Sequence, residues 1–226
     1  MSNFYIVATP IGNLEDITLR ALKVLKEADL ILCEDTRVTK RLLDRHNIKT
    51  PTASYHAHSK TSKKDFILDL LEERKNLILV SDAGTPAISD PGVLIISQII
   101  EKFKDEVKII PIPGPSALIS ALSASGLPAS EFLFLGFLPH KKGRETLFNE
   151  IALSKRTTVF YESPHRLMKT LESLNKYIKP DRKVVIAREL TKIYEEFVRG
   201  NSKEVLEYFN KNNDKVRGEF VVIVSS

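Results

Sequence analysis

Short apolar runs alternate with helical-period segments through the first half of the chain. FYIVA (4–8), DLILC (29–33), LILVS (77–81) and VKIIP (107–111) read as strands. Between them, segments 18–28, 36–46, 60–74 and 93–103 carry apolar residues at helical spacing. In the first of these Leu19, Leu22, Leu25 and Ala28 are expected on one face; in the third Phe66, Ile67, Leu70 and Leu71 are expected to point inward. Strands that are apolar throughout and alternate with helices predict an α/β unit on a mostly parallel sheet covered on both faces.

PIPGPS (111–116) interrupts that rhythm, since three prolines in five residues continue neither a helix nor a central strand. It is read as the hinge between residues 1–112 and residues 113–226. Beyond it the pattern is mixed. Strands are predicted at 132–137, 157–163, 183–189, 194–200 and 218–224, with helices at 144–154, 164–178 and 202–211. The neighbouring strands 183–189 and 194–200 read as an antiparallel hairpin. The second half is therefore an α+β unit on a mixed sheet.

Composition narrows the class. Of 226 residues 42% are hydrophobic and 28% charged, ordinary for a globular chain, and no stretch of eighteen apolar residues predicts a membrane span. The start, MSNFYIVATPIGN, lacks the basic and small-residue features of a secretory signal, so a cytoplasmic location is expected. One cysteine, Cys33, and five scattered histidines argue against a disulfide framework or a metal site. The formal charge of +5 is unevenly placed: residues 1–112 hold 16 basic and 16 acidic side chains, leaving 18 and 13 for the rest. That second half can face phosphates, or simply carry a solvated lysine-rich surface.

Glycine and proline gather at strand ends, where open α/β sheets bind ligands. The loop Thr9-Pro10-Ile11-Gly12-Asn13 has neither dinucleotide glycine spacing nor a phosphate-loop lysine. SDAGTPAISDPG (81–92) is long for a strand-to-helix link; Pro86 and Pro91 stiffen it, Gly84 lets backbone approach a ligand, and Asp82 and Asp90 can accept hydrogen bonds. Ser116 stands at an expected helix N-cap whose free amides suit a carboxylate. FYESPHR (160–166) and ARELTK (187–192) close two further strands.

YIVATPIGNLEDITLRALKVL, LVSDAGTPAISDPG, IPGPSALISALSASGLP, FLFLGFLP, VFYESPHR and ARELTKIYEEFVRG, in that order, resemble the tetrapyrrole methylase superfamily and, within it, the bacterial ribosomal RNA small-subunit methyltransferases. The resemblance runs from about residue 3 to residue 224. It implies a two-domain α/β fold with S-adenosyl-L-methionine (SAM) in the cleft between the domains, and a homodimer. It implies that Asp82, Ala83, Gly84, Thr85 and Pro86 line the cofactor pocket, with Ser116 and Ala117 at the hinge and Tyr161, Ala187 and Arg188 on the other side. Thr9 and Pro10 would face the methyl-accepting side. The implied substrate is the 2′-hydroxyl of a cytidine in the decoding region of 16S rRNA, free or in the 30S subunit. Many such proteins continue into a small helical extension, whereas this sequence ends at Ser226.

A ribose hydroxyl is a weak nucleophile, so a base or cation beside it would help. Glu34, Asp35, His56, His58, Glu162, Arg188 and Glu189 are candidates, each with a structural role as the alternative, and none is singled out. Lys141, Lys142 and Arg144, in the basic half, are read as phosphate contacts. Two rival readings remain: a small-molecule methylase of the same superfamily, and an RNA-binding module without activity.

Overall fold

The apolar runs of the first half become five parallel strands: β1 (Ser2–Val7), β2 (Leu30–Cys33), β3 (Thr52–Ser54), β4 (Leu77–Leu79) and β5 (Val107–Ile112), ordered β3-β2-β4-β1-β5. The computed structural model describes residues 1–56, 61–90 and 92–226. It divides into two compact units, Met1–Ser116 and Ala117–Ser226, with the division at the end of the proline-rich segment.

In the first unit helices α1 (Leu19–Glu27), α2 (Thr36–Arg45), α3 (Thr61–Glu72) and α4 (Gly92–Phe103) cover the two sheet faces. Val7, Ile31, Ile78 and Ile112 pack with Ala21, Leu25, Leu42 and Leu43 of α1 and α2. Phe4, Leu32, Leu77 and Leu79 pack with Ile67 and Leu71 of α3 and Ile95, Ile99 and Phe103 of α4. Successive strand residues feed opposite faces, which is why these strands are apolar throughout.

Two faces differ from expectation. Leu19 is 86% exposed, and Ala21 and Leu25 are the buried residues of α1. A spacing of three turns the helix by roughly 60° short of a full circle each time, so Leu19 and Ala28 fall on opposite sides. In α3 Ile67 and Leu71, four apart, set the buried stripe; Leu68 and Leu70 flank it and Phe66 is 49% exposed. Strand β3 has no apolar run to announce it; it forms as a half-buried edge by pairing with β2. Lys60, where α3 was expected to begin, lies outside the described residues.

The second unit contains α5 (Ala117–Ser125), β6 (Phe132–Phe137), α6 (Arg144–Leu153), β7 (Thr157–Glu162), α7 (Pro164–Tyr177), β8 (Lys183–Arg188), β9 (Glu196–Asn201), α8 (Ser202–Lys211) and β10 (Phe220–Val224). Its sheet, ordered β6-β7-β10-β8-β9, is mixed: β6 runs parallel to β7, and the other pairs are antiparallel. Phe148, Leu167, Leu171, Val205 and Phe209 from α6, α7 and α8 bury Phe160, Ile186, Val222 and Phe220. Helix α5 packs against β7, β8 and β10.

Candidate functional site

In the first unit, neighbouring strands β1 and β4 send their following helices to opposite faces: α1 joins one core and α4 the other. This is a topological switch point, where the strand ends open a crevice. The loops leaving those strands are tied together there. Thr9 N–H donates to Gly84 O (2.9 Å), and Gly84 N–H donates back to Thr9 O (3.0 Å). The Thr9 hydroxyl donates to Ser81 O at 3.0 Å. Thr85 Oγ1 donates to Pro115 O at 3.1 Å, drawing in the end of the proline segment. Gly84 has φ +83°, and a Cβ there would sit 3.4 Å from Ile11 Cγ2 and 3.7 Å from Pro115 O. Thr9, Pro10, Gly84 and Pro86 are buried in this knot, whereas Asp82 and Ala83 are exposed on it.

Carboxylates gather at the ends of β2 and β4. Asp82 accepts the N–H of Asp35 at 3.0 Å. Asp90 accepts the N–H groups of Ala87 and Gly92, each at 2.7 Å, and so closes its own loop. The Asp90 oxygens thus serve the turn, where the sequence suggested a ligand contact; Pro91 beside it is outside the described residues. Asp35 caps α2 through Arg37 N–H and grips the Arg37 side chain. Those hydrogen bonds hold its carboxyl at about 2. Glu34 goes the other way: burial, then the charges of Asp82 and Asp90, raise its pKa, with His56 opposing.

In the second unit, Tyr161 of β7 and Ala187 of β8 both pair with Val221 of the strand between them. Directly opposed residues share a sheet face, so Tyr161, Val221 and Ala187 form one row on the side where α5 packs. The Tyr161 hydroxyl meets the backbone of Leu118 in the first turn of α5, burial raising its pKa against that contact. Rings of Phe134 and Phe137 stand 5.1 and 5.3 Å from the Tyr161 ring. Ala117 opens α5, next to Ser116.

The next row holds Glu162, Phe220 and Arg188, on the opposite face. The Arg188 side chain is therefore not brought together with Tyr161 and Ala187. It is buried, donating to the carbonyls of Arg217 (3.0 Å) and Tyr194 (3.2 Å), with Glu196 at 3.8 Å. Only the Arg188 main chain shares the strand end with Ala187.

The remaining base candidates are engaged. Glu162, with no side-chain exposure, meets Arg166 at 2.8 Å and Arg144 at 3.5 Å and accepts from Thr170 and from Ser163 N–H. Glu189 accepts from Lys192 and from Glu219 N–H; burial pushes its pKa up, but these bonds and the Lys192 and Arg188 charges bring it below the ordinary carboxylate value. His58 lies outside the described residues. Lys141 and Lys142 are exposed at a turn, but Arg144 is not their companion: its side chain is 15% exposed and bound internally. Sequence reasoning missed Arg166 and Thr170. The four-residue step from Glu162 to Arg166 was the available signal, whereas nothing local marks Thr170.

The family model described as tetrapyrrole (corrin/porphyrin) methylases matches residues 3–206. A ribosomal RNA small subunit methyltransferase I from Thermotoga maritima is 47% identical over 225 residues, covering 100% of this chain and 99% of its own. The protein of the same name from Halalkalibacterium halodurans is 50% identical, over 97% of this chain and 74% of its own. Among solved structures, a cobalt precorrin-4 methyltransferase of cobalamin biosynthesis matches with TM-score 0.71 at 20% identity, covering 99% of this chain and 94% of that one. Uroporphyrin-III C-methyl transferase from Thermus thermophilus, complexed with S-adenyl homocysteine, matches with TM-score 0.64 at 18% identity, covering 99% and 97%.

Proposed function

Because the chain belongs to the tetrapyrrole (corrin/porphyrin) methylase family and, within it, to the ribosomal RNA small subunit methyltransferase I group, we propose that it moves a methyl group from SAM to a cytidine 2′-hydroxyl in the decoding region of 16S rRNA. The observation that carries this is the 47% identity along the full length of a relative bearing that name, against 20% in a corrin enzyme that shares the fold.

The proposal takes Thr9, Pro10, Asp82, Ala83, Gly84, Thr85, Pro86 and Ser116 from the first unit and Ala117, Tyr161, Ala187 and the Arg188 main chain from the second. Their chemistry fits the cofactor. Exposed Asp82 can accept from an ammonium or a ribose hydroxyl. The start of α5, where Tyr161 already meets the Leu118 backbone, carries the positive end of a helix dipole, which suits a carboxylate. Val221 and Ala187 are buried, which leaves half-buried Tyr161, at the end of their row, as the aromatic ring of the kind an adenine prefers. SAM, when bound, supplies a methyl group activated by its sulfonium. The chain's task is to hold the ribose oxygen in line with that carbon, which can contribute on the order of 7–11 kcal/mol. Lys141 and Lys142 would hold RNA phosphates.

Among the described residues no helix is long and apolar enough to cross a membrane. The proposal places the protein in the cytoplasm, acting as a homodimer on 16S rRNA or the 30S subunit. The test is transfer of tritium from methyl-labelled SAM to 30S subunits from a strain lacking the enzyme, beside naked 16S rRNA and a precorrin. Label in a cytidine ribose is the expected result. Label in the precorrin alone would overturn it, and SAM binding without transfer to any acceptor would leave a non-catalytic module.

A further inference from the structure

The segment Leu138–Arg144 is fastened at both ends to one buried carboxylate. Arg166 donates to Leu138 O at 2.6 Å while pairing with Glu162 at 2.8 Å. Arg144 donates to Pro139 O at 3.1 Å and to the Thr170 hydroxyl at 2.6 Å; that hydroxyl in turn donates to Glu162 Oε2 at 2.6 Å. Between the fastened ends, His140, Lys141, Lys142 and Gly143 are exposed, and the turn closes through Arg144 N–H on Lys141 O at 3.2 Å. Gly143 takes φ +81°, with nothing within 4 Å of where a Cβ would be.

Stability alone does not account for a carboxylate of zero side-chain exposure beside two arginines. Well-packed apolar replacements of such clusters are often neutral or stabilising. What the cluster does that apolar packing would not is fix direction: both arginines reach main-chain carbonyls of one turn. We infer that Glu162, with Arg144, Arg166 and Thr170, is a positioning device that holds Lys141 and Lys142 ready for two RNA phosphates. This rests on the reading of the two lysines as phosphate contacts. A turn held in its bound shape forfeits less order when RNA arrives, which raises affinity without adding a contact.

The two ideas part in a salt titration of binding to 30S subunits lacking the modification. Lys141→Ala/Lys142→Ala should weaken binding and lower the salt slope by roughly 2, about 1 per phosphate contact. Thr170→Val acts differently, because Thr170 is fully buried and cannot touch RNA. It should weaken binding by about three- to tenfold at every salt concentration while the slope is kept, as expected for ordering costs of one or two side chains. Thr170→Ser should restore affinity, and SAM affinity should hold in all variants. Should Thr170→Val not fold, Arg144→Lys, which keeps the charge but not the two-way reach, reads the same step. Parental binding and slope in the double lysine variant would overturn the phosphate reading itself. With that variant impaired, parental affinity in Thr170→Val, or a loss that Thr170→Ser does not restore, would overturn the positioning device.

Discussion

Gly84 is the residue on which the strand-end loops of the first unit turn. Its φ of +83° lies where L residues pay about 1–2 kcal/mol, and a Cβ there would already be in contact with Ile11 and Pro115, leaving little space for a branched side chain. Gly84→Val should therefore disturb the Thr9–Gly84 pair and the exposed Asp82–Ala83 step together. Calorimetric SAM affinity is expected to fall on the order of tenfold, about 1.4 kcal/mol, with the far-ultraviolet spectrum retained; parental affinity would take this loop out of the cofactor site. Glu34 offers a pH test nearby. Its folded pKa is raised by burial and by Asp82 and Asp90. An acid so raised costs the fold nothing below its unfolded value, and stability is lost as pH climbs through the raised one. Glu34→Gln should thus match the parent in melting temperature below about pH 4 and exceed it at pH 7. Equal melting temperatures at both would mean the charge is not felt.

Elements were legible where the signal is local. Helix α8 runs over the expected 202–211 because its start is written in four residues: the Asn201 side chain accepts Glu204 N–H, and Glu204 reaches back to Asn201 N–H. Asn201→Ala removes the first of these bonds and should cost about 1 kcal/mol in urea unfolding, with Asn201→Asp close to the parent. Identical midpoints for all three would show the cap to be idle. Strand β3 and the exposed Leu19 were not legible, the one because its pairing with β2 is tertiary, the other because a spacing of three imitates a face without making one. The site divides in the same way. Loops at strand ends follow from glycine, proline and the order of elements. That Asp90 serves its own turn, that Arg188 points to the far face and that Arg144 is tied to Glu162 depend on strand pairing and on contacts between residues distant in sequence.

At the scale of the whole molecule, the question is what becomes of the apolar edge of the second unit's sheet. Strand β6 is an edge, and its sequence FLFLGF carries no charge, proline or lysine of the kind that guards free edges. Phe132, Leu133 and Phe137 are 36%, 37% and 57% exposed on it. A net charge of +5 spread over 226 residues gives little repulsion to keep copies apart. Two copies meeting edge to edge about a two-fold axis would close both edges at once, since the same surface serves both partners. The expected mass in solution at micromolar concentration is near twice the 25.5 kDa of one chain. Leu133→Lys puts a charge on the exposed edge, away from the Phe134 and Phe137 rings that meet Tyr161. It should move the light-scattering mass toward one chain on dilution while SAM affinity is kept. A parental mass near 25.5 kDa would sink the dimer; a dimer untouched by Leu133→Lys at every concentration would put its interface on some other surface.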